Sequence, residues 1–461
     1  MNLKSNLYFF TLFLFILGIG LLTNCRKESI LDDTSAKVEF SKDSLVFDTV
    51  FSTIGSTYHR FTVRNPYNKK LILSNIRLQN GTKSMFRINV DGVPTVSINE
   101  VEIEANDSIY ILAEVTIDPN NANNPFVVED KIIFNTNGNI QEVILVAWGQ
   151  NAYFHYNELV CNETWATDKP HVLYGITAVG YPKLDSGCVL TIPAGAKIYA
   201  HTDAVLYVYK SSLFVNGTHG NEVVFEGDRR EERFEDVPGQ WFGIRFSQPK
   251  TSKINYAIIK NGTAGIYVDT ADGSDIVTID YTISKNHTYA SLFAQGARIE
   301  SENCLFVNSG LYSAGLKIGG DYKFNHCTFG NYWNHSSRTS PAVLINNWYE
   351  DNTGTIQHRP IVKADFTNCI MYGANEVEFF VDTVPGSAPN YSLNYCVIKT
   401  SNSLNSKYTN MKNNVDPRFK SIDDFHLLSG SVAIGWTDNL TTSNDLDDKP
   451  RISFDAGCYE K

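Results

Sequence analysis

Three patterns of apolar and polar residues divide the chain. The first is an almost wholly apolar run from Leu7 to Leu22, preceded by Lys4 and followed by Thr23-Asn24-Cys25 and the charged triplet Arg26-Lys27-Glu28. The run approaches the length of about 18 residues that marks a membrane-spanning helix. A positive start, an apolar middle and an abrupt polar end also match the layout of an export signal. The second pattern, over residues 37–151, alternates apolar and polar positions in short bursts such as Arg60-Phe61-Thr62-Val63, Ile109-Tyr110-Ile111-Leu112-Ala113 and Val143-Ile144-Leu145-Val146-Ala147. Turn formers separate them, among them Asn65-Pro66, Asn80-Gly81, Asp91-Gly92 and Asp118-Pro119. Period-two alternation with frequent turn signals predicts roughly seven strands of an antiparallel β-sandwich. Asn137-Gly138 between two such bursts predicts a two-residue hairpin.

The third pattern is a repeat. Tyr256-Ala257-Ile258-Ile259-Lys260-Asn261, Tyr281-Thr282-Ile283-Ser284-Lys285-Asn286, Asn303-Cys304-Leu305-Phe306-Val307-Asn308 and His326-Cys327-Thr328-Phe329-Gly330-Asn331 align without gaps. Weaker copies follow at Asn368-Cys369-Ile370-Met371 and Tyr395-Cys396-Val397-Ile398. The second positions (257, 282, 304, 327, 369, 396) step by 25, 22, 23, 42 and 27 residues. One strand per step, at period two, predicts a right-handed parallel β-helix whose equivalent residues stack about 4.8 Å apart. Ala257, Thr282, Cys304, Cys327, Cys369 and Cys396 then form an interior file of small side chains. Asn261, Asn286, Asn308 and Asn331 form a second file at a bend, each amide bonding the next and satisfying turn backbone.

Composition agrees with an all-β chain: 24 Tyr and 27 Phe against 4 Met, with only 19% charged residues in 461. The net charge of −11 comes without any long Lys/Arg cluster, which excludes nucleic acid as an expected partner. Eight Cys are present. Beyond Cys25 they are odd in number and widely spaced, a poor disulfide framework, so the file of Cys304, Cys327, Cys369 and Cys396 is read as buried free thiols.

Several of these stretches carry a resemblance. Leu22-Thr23-Asn24-Cys25 resembles a bacterial lipobox, which implies a signal peptide over 1–24, lipidation of Cys25 and a polar tether over 25–36; an uncleaved N-terminal anchor is the alternative. Phe47-Asp48-Thr49-Val50, Gly55-Ser56, Val63-Arg64-Asn65-Pro66 and Phe86-Arg87-Ile88-Asn89-Val90-Asp91-Gly92 resemble the Ig-like modules of Bacteroidetes surface lipoproteins, over 37–151. Thr191-Ile192-Pro193-Ala194-Gly195, Gly239-Gln240-Trp241-Phe242-Gly243-Ile244 and the repeat itself resemble the β-helix lipoproteins of the same bacteria, a pectin-lyase-like architecture over 152–424. Asp445-Leu446-Asp447, Pro450-Arg451 and Asp455-Ala456-Gly457-Cys458-Tyr459-Glu460 are similar to the closing motif of such proteins. That likeness implies a polar cap over the open end, at 425–461.

Candidate chemistry is sparse. Polygalacturonase-like hydrolysis needs paired carboxylates on adjacent coils, and the acidic pairs Asp423-Asp424 and Asp447-Asp448 fall near the cap instead. Lyase chemistry needs an acidic Ca²⁺ cluster with a base; Asp269, Asp272 and Asp275 in one inter-coil loop are the nearest set, and an acidic solvated turn is the plainer reading. Two loops offer aromatic side chains suited to stacking on sugar rings. One spans 227–241 and ends in Trp241. The other is the excursion made by the 42-residue step, with Trp333, His335, Trp348 and Tyr349. The expectation is therefore an exported, outer-membrane lipid-anchored protein without a bound cofactor. Its β-helix is expected to act as a non-catalytic scaffold for a polysaccharide or a surface protein. A polysaccharide lyase or glycoside hydrolase is the alternative, and a purely structural surface protein the third reading. Exposed aromatics along one flank would favour binding; carboxylates aligned on neighbouring coils would favour the enzyme.

Overall fold

A computed structural model describes residues 29–52, 55–118, 126–270, 274–386, 388–437 and 442–461. The chain divides into two compact units, Met1–Asn151 and Ala152–Lys461. Lipidation of Cys25 falls outside the described residues.

The first unit is a β-sandwich of two five-stranded sheets. One holds Glu39–Phe40, His59–Arg64, Ser108–Val115, Phe86–Val90 and Val93–Thr95; the other holds Ser44–Phe51, Asn139–Gln150, Phe126–Thr136, Leu71–Leu78 and Ser97–Ile103. Their inner faces bury Phe47, Phe61, Phe86, Ile111 and Phe134 as one core. The Asn137-Gly138 hairpin forms, with φ of 50° and 89°, the left-handed pair that a two-residue turn requires. The strands number ten, not seven, among the described residues. Asp91 and Gly92, also at positive φ, fold Phe86–Val90 back on Val93–Thr95, so a stretch expected as turn becomes a second hairpin.

The second unit is a parallel β-helix. Three strands per coil recur, for example Ser252–Asn255, Ala257–Lys260 and Ala264–Asp269, and each pairs in parallel with its equivalent one coil on. The result is three long sheets. The first begins at Tyr153–Tyr156, the second at Leu159–Val160 and the third at Glu163–Thr164. Inward residues stack in files: Phe225, Ile259, Ser284, Phe306, Phe329 and Met371 occupy one register position of the first sheet, all essentially unexposed. Phe306 stacks on Phe329 at 5.5 Å and Phe324 on Phe366 at 5.0 Å, contacts worth about 0.5–1.5 kcal/mol each beyond burial.

The bend from third to first sheet has one design throughout. Tyr256, Tyr281, Asn303, His326, Asn368 and Tyr395 all sit at φ between 46° and 57°. The next residue turns inward, and this is the file of Ala257, Thr282 and the four cysteines. Thr282 Oγ1 donates to the Asp280 carbonyl at 2.8 Å; the thiols of Cys304, Cys327, Cys369 and Cys396 donate to the carbonyl two residues back at 3.3, 3.4, 3.1 and 3.4 Å. A small side chain with one donor fits the corner and adds a second bond to a carbonyl that already accepts the bend N–H of the preceding coil. All four cysteines of the file are free, and burial pushes the Cys304 and Cys369 thiols up. One disulfide does form, Cys161–Cys188. The spacing argument missed it because a gap of 27 residues is about one coil, which brings the two residues side by side.

The asparagines likewise share one file, but they do not form a single amide chain. Asn286 Nδ2 donates to Asn261 Oδ1 at 2.7 Å, whereas Asn308 turns to the Ile422 carbonyl and Asn331 to the Ser309 carbonyl. The C-terminal segment also departs from the expected lid, in that it runs back along the outside of the first sheet. Leu305, Val307, Ile370 and Val397 project outward there, and Phe425, Leu427, Leu446 and Ala456 cover them. Gly330 leaves the space that the Phe425 ring fills; a Cβ there would lie 2.0 Å from it. Arg451, fully buried, bonds Asn303 Oδ1 at 2.6 Å and the carbonyls of Asp455 and Gly457, and faces Glu460 at 3.6 Å.

Buried histidines make the unit acid-sensitive. Burial lowers His171 to about 4 and both His287 and His326 to about 3, from 6.5. At His287, Gly262 N–H donates to Nδ1 at 3.0 Å and leaves no room for a second proton. The folded state thus favours the neutral ring. Its contribution is present in full above about pH 6.5 and is lost as the pH falls toward 4 and below, where the unfolded chain binds the extra protons. The expected outcome is a melting temperature that falls between pH 7 and pH 4, with a smaller fall in His287→Gln. Scanning calorimetry across that range measures the difference.

Candidate functional site

The outer faces of the three sheets differ in chemistry. The third presents Lys253, Thr278, Glu300, Lys323, Asp365 and Ser392 in one register file. The first carries an apolar file of Ile258, Ile283, Leu305, Ile370 and Val397 beside Glu226, Lys260 and Lys285, and is partly covered by the C-terminal segment. The second presents, coil after coil, Ala178, Tyr207, Arg245, Tyr267, Phe293, Gly315, Leu344 and Phe380. Their neighbours in sequence, such as Leu206, Val208, Ile266, Val268, Leu292 and Ala294, are fully buried, so alternation directs the file outward.

From Tyr207 to Phe293 this file is an unbroken run of π groups. The Arg245 guanidinium lies 5.0 Å over the Tyr267 ring, and Tyr267 lies 5.2 Å from Phe293. Tyr289 and Tyr312 flank Phe293 at 5.0 and 6.4 Å, and Tyr181 meets Tyr207 at 6.0 Å. Phe293 is buried beneath its neighbours, while the tyrosines remain half-exposed. Gly315 is required beside them, since a Cβ would lie 2.8 Å from the Phe293 ring. Polar groups border the file: Tyr267 Oη donates to Gln295 Oε1 at 2.6 Å, and Asp269 lies 4.0 Å from Arg245. A shallow pocket of about 270 Å³ opens at one end, lined by Tyr181, Tyr207, Phe242 and Arg245.

A second concavity, about 620 Å³, lies on the first sheet. Ile258, Ile283, Leu305 and Val307 make its floor, and Trp333 and His335 stand on one rim. Asp423, Asp424, Phe425, His426 and Tyr459 also line the concavity. The two acidic pairs dismissed from the sequence meet here, because His426 bridges them: Nδ1 to Asp424 at 2.5 Å and Nε2 to Asp447 at 2.9 Å, with the ring stacked on Tyr459 at 3.9 Å. Lys420 above all, and then His426, hold the Asp424 carboxyl well below the usual range. Burial alone would raise Asp447, but bonds from His426 and Lys449 outweigh it and lower it as well. Both carboxylates are therefore held in the ionised form, which accepts hydrogen bonds and does not donate them.

The other candidates are dispersed. Trp241 is not an exposed stacking platform: it is 1% exposed, its indole N–H donates to the Lys260 carbonyl at 3.0 Å, and it belongs to the helix core. The charged loop before it suggested exposure, but Trp241 stands at the opening of a coil and its ring turns inward. Trp348 and Tyr349 lie on a hairpin, Trp348–Glu350 against Ile356–His358, where Arg359 covers Tyr349. Asp275 is taken up by Lys250 at 3.1 Å and by Thr251. Asp269 faces Arg245, and Asp272 lies outside the described residues. No group of three metal-ligating side chains occurs among the described residues. The aromatic file was missed in the sequence, although its signal is there: Tyr207, Tyr267 and Phe293 each sit between two apolar residues that point inward.

Fold and surface together define a parallel β-helix of three sheets, one bearing an uncovered aromatic face. No family model and no curated protein matches the chain. Among solved structures, a family 123 glycoside hydrolase from Clostridium perfringens, described by its glycolipid glycan hydrolysis, aligns at 10% identity and TM-score 0.18 over 25% of this chain. The chain spans only 26% of that enzyme's length. The catalytic unit of a thermostable GH87 alpha-1,3-glucanase from Streptomyces thermodiastaticus strain HF3-3 aligns at 8% identity and TM-score 0.27, over 76% of this chain and 74% of that one. A GH87 alpha-1,3-glucanase catalytic domain in complex with nigerose aligns at 10% identity and TM-score 0.16, over 78% and 88%. At such scores these likenesses carry no argument about activity.

The rim bearing Trp333 is fixed from beneath. Arg338 and Glu378, 2% and 0% exposed, form a two-pronged ion pair at 2.6 and 2.9 Å. Arg338 also bonds the Asn331 and Ser340 carbonyls, while Glu378 accepts from the amides of Ala342 and Asn375. Removing one partner strands a buried charge, so Arg338→Met is expected to cost about 3–5 kcal/mol in urea unfolding. Arg338→Met with Glu378→Leu should recover a large part of that loss.

Proposed function

We propose that the β-helix unit is a non-catalytic glycan-binding module, and that an extended polysaccharide lies along the outer face of its second sheet, parallel to the helix axis. The aromatic file carries this reading. Rings stand at Tyr207, Tyr267, Phe293 and Phe380, with the Arg245 guanidinium between the first two, on a file whose seven steps of about 4.8 Å extend it to about 34 Å. Such a repeat suits a polymer of rings, each pyranose setting its C–H face on an aromatic ring while Arg245, Gln295 and Asp269 meet its hydroxyls. Tyrosine combines apolar area with a polar edge and loses little side-chain entropy on binding.

The module is proposed to work outside the cytoplasm, held to the outer membrane through lipidated Cys25. Two features support export: the N-terminal apolar run ending at Cys25, and the Cys161–Cys188 disulfide, a bond that persists in oxidising compartments. The five remaining described thiols are buried and so shielded from the same chemistry.

Affinity electrophoresis and titration calorimetry against a panel of soluble glucans, xylans and pectins test the reading. At least one linear polysaccharide should be retained, and Tyr207→Ala and Tyr267→Ala should each weaken retention about tenfold, about 1.4 kcal/mol. Retention of none of them, or retention unchanged in both variants, would refute the proposal. Release of new reducing ends or unsaturated products by the wild type would replace binding with catalysis.

A further inference from the structure

The groove on the first sheet is separate from the aromatic face, and we infer that it is a second binding site, for a short neutral saccharide of one or two pyranose rings. Its size, about 620 Å³, falls within the range of about 300–1,000 Å³ typical of small-molecule sites. The floor of Ile258, Ile283, Leu305 and Val307 continues the outward apolar file of the first sheet. At Leu305, Val307, Ile370 and Val397 the C-terminal segment covers the outward apolar residues. Ile258 and Ile283 stay half-buried, and that part of the floor is left to a ligand with an apolar side.

The rim supplies the complementary chemistry. Asn286 spends both amide hydrogens on the Asp236 carbonyl and Asn261 Oδ1, which leaves its oxygen as an acceptor. The Lys285 ammonium only donates and forms no ion pair among the described residues, while the Asp236 and Asp423 carboxylates only accept. Hydroxyl groups, which donate and accept at once, satisfy such a mixed rim. Acids and bases are interleaved, so no single sign of charge selects an ionic ligand.

Trp333 offers the stacking ring. Its indole N–H is anchored to Ser336 Oγ at 2.9 Å, and the buried Arg338–Glu378 pair holds its loop. A buried ion pair adds little net stability; here it fixes the approach of one half-buried aromatic, which lowers the ordering cost of binding. The inference does not depend on the face of the second sheet, and the two can fail separately.

Saturation-transfer NMR and tryptophan fluorescence with glucose, galactose, N-acetylglucosamine, cellobiose and maltose test it on the whole chain. At least one should bind with a Kd of about 10 mM or tighter. Trp333→Ala and Lys285→Met should each weaken it about tenfold, and Tyr267→Ala should leave it unchanged. Lys285→Met alters only the rim and guards against a folding failure in Trp333→Ala. Absence of any binding up to that concentration, or binding that Lys285→Met leaves intact while Tyr267→Ala abolishes it, overturns the inference.

Discussion

The bend between the third and first sheets is the constraint on which the second unit depends. A left-handed residue there reverses the chain within a single position, at a conformational cost of about 1–2 kcal/mol for a side chain other than glycine. The residue after it must turn into the corner, where the carbonyl two residues earlier accepts the bend N–H of the preceding coil and has a second lone pair to offer. Threonine and cysteine meet both needs, being small and able to donate one hydrogen bond. Because the solution is the same at Thr282, Cys304, Cys327, Cys369 and Cys396, successive coils come into register. Every other file in the helix inherits that register.

Stacked coils leave outward faces whose composition the core does not dictate. On the first sheet the solution is internal. The C-terminal segment lies over Leu305, Ile370 and Val397, and a buried polar network ties it down, with Arg451 bonded to Asn303 and Cys458 N–H to Thr328 Oγ1 at 3.1 Å. Asn303 thus does two jobs, one in the bend and one as the anchor of a segment about 148 residues away in sequence. The groove exists because this covering stops short of Ile258 and Ile283.

What could be read from the sequence follows from how far each signal reaches. Period-two alternation and the aligned hexapeptides are local, so the strands, the coil repeat and the small-residue file were all legible before the structure. Contacts that cross many coils were not. Asp424 and Asp447 meet only because a segment with no repeat folds back on the helix, and nothing in their spacing announces His426 between them. Trp241 shows the converse error. A tryptophan after a charged loop looks exposed, yet it opens a coil and its ring turns inward. Cys161 and Cys188 were judged by their separation along the chain, whereas in a helix of coils the relevant distance is the remainder after one turn.

An uncovered aromatic face has a physical cost that the other two sheets avoid. Contiguous apolar surface of this kind invites association and marks an interaction site in most soluble proteins. The third sheet shows that the same fold tolerates lysine, threonine and glutamate at equivalent outward positions. Packing therefore does not require Tyr207, Tyr267 or Tyr312 on the second. Nor are these rings left loose: Gly315 admits Phe293 and Tyr312 side by side, and Tyr267 is pinned through its hydroxyl to Gln295. Rings that are both exposed and held in place have already lost the rotamer freedom that a ligand would otherwise have to remove. Rigid spacing across several coils, on a scaffold whose interior scarcely deforms, favours a ligand that is itself extended and repetitive over a compact one.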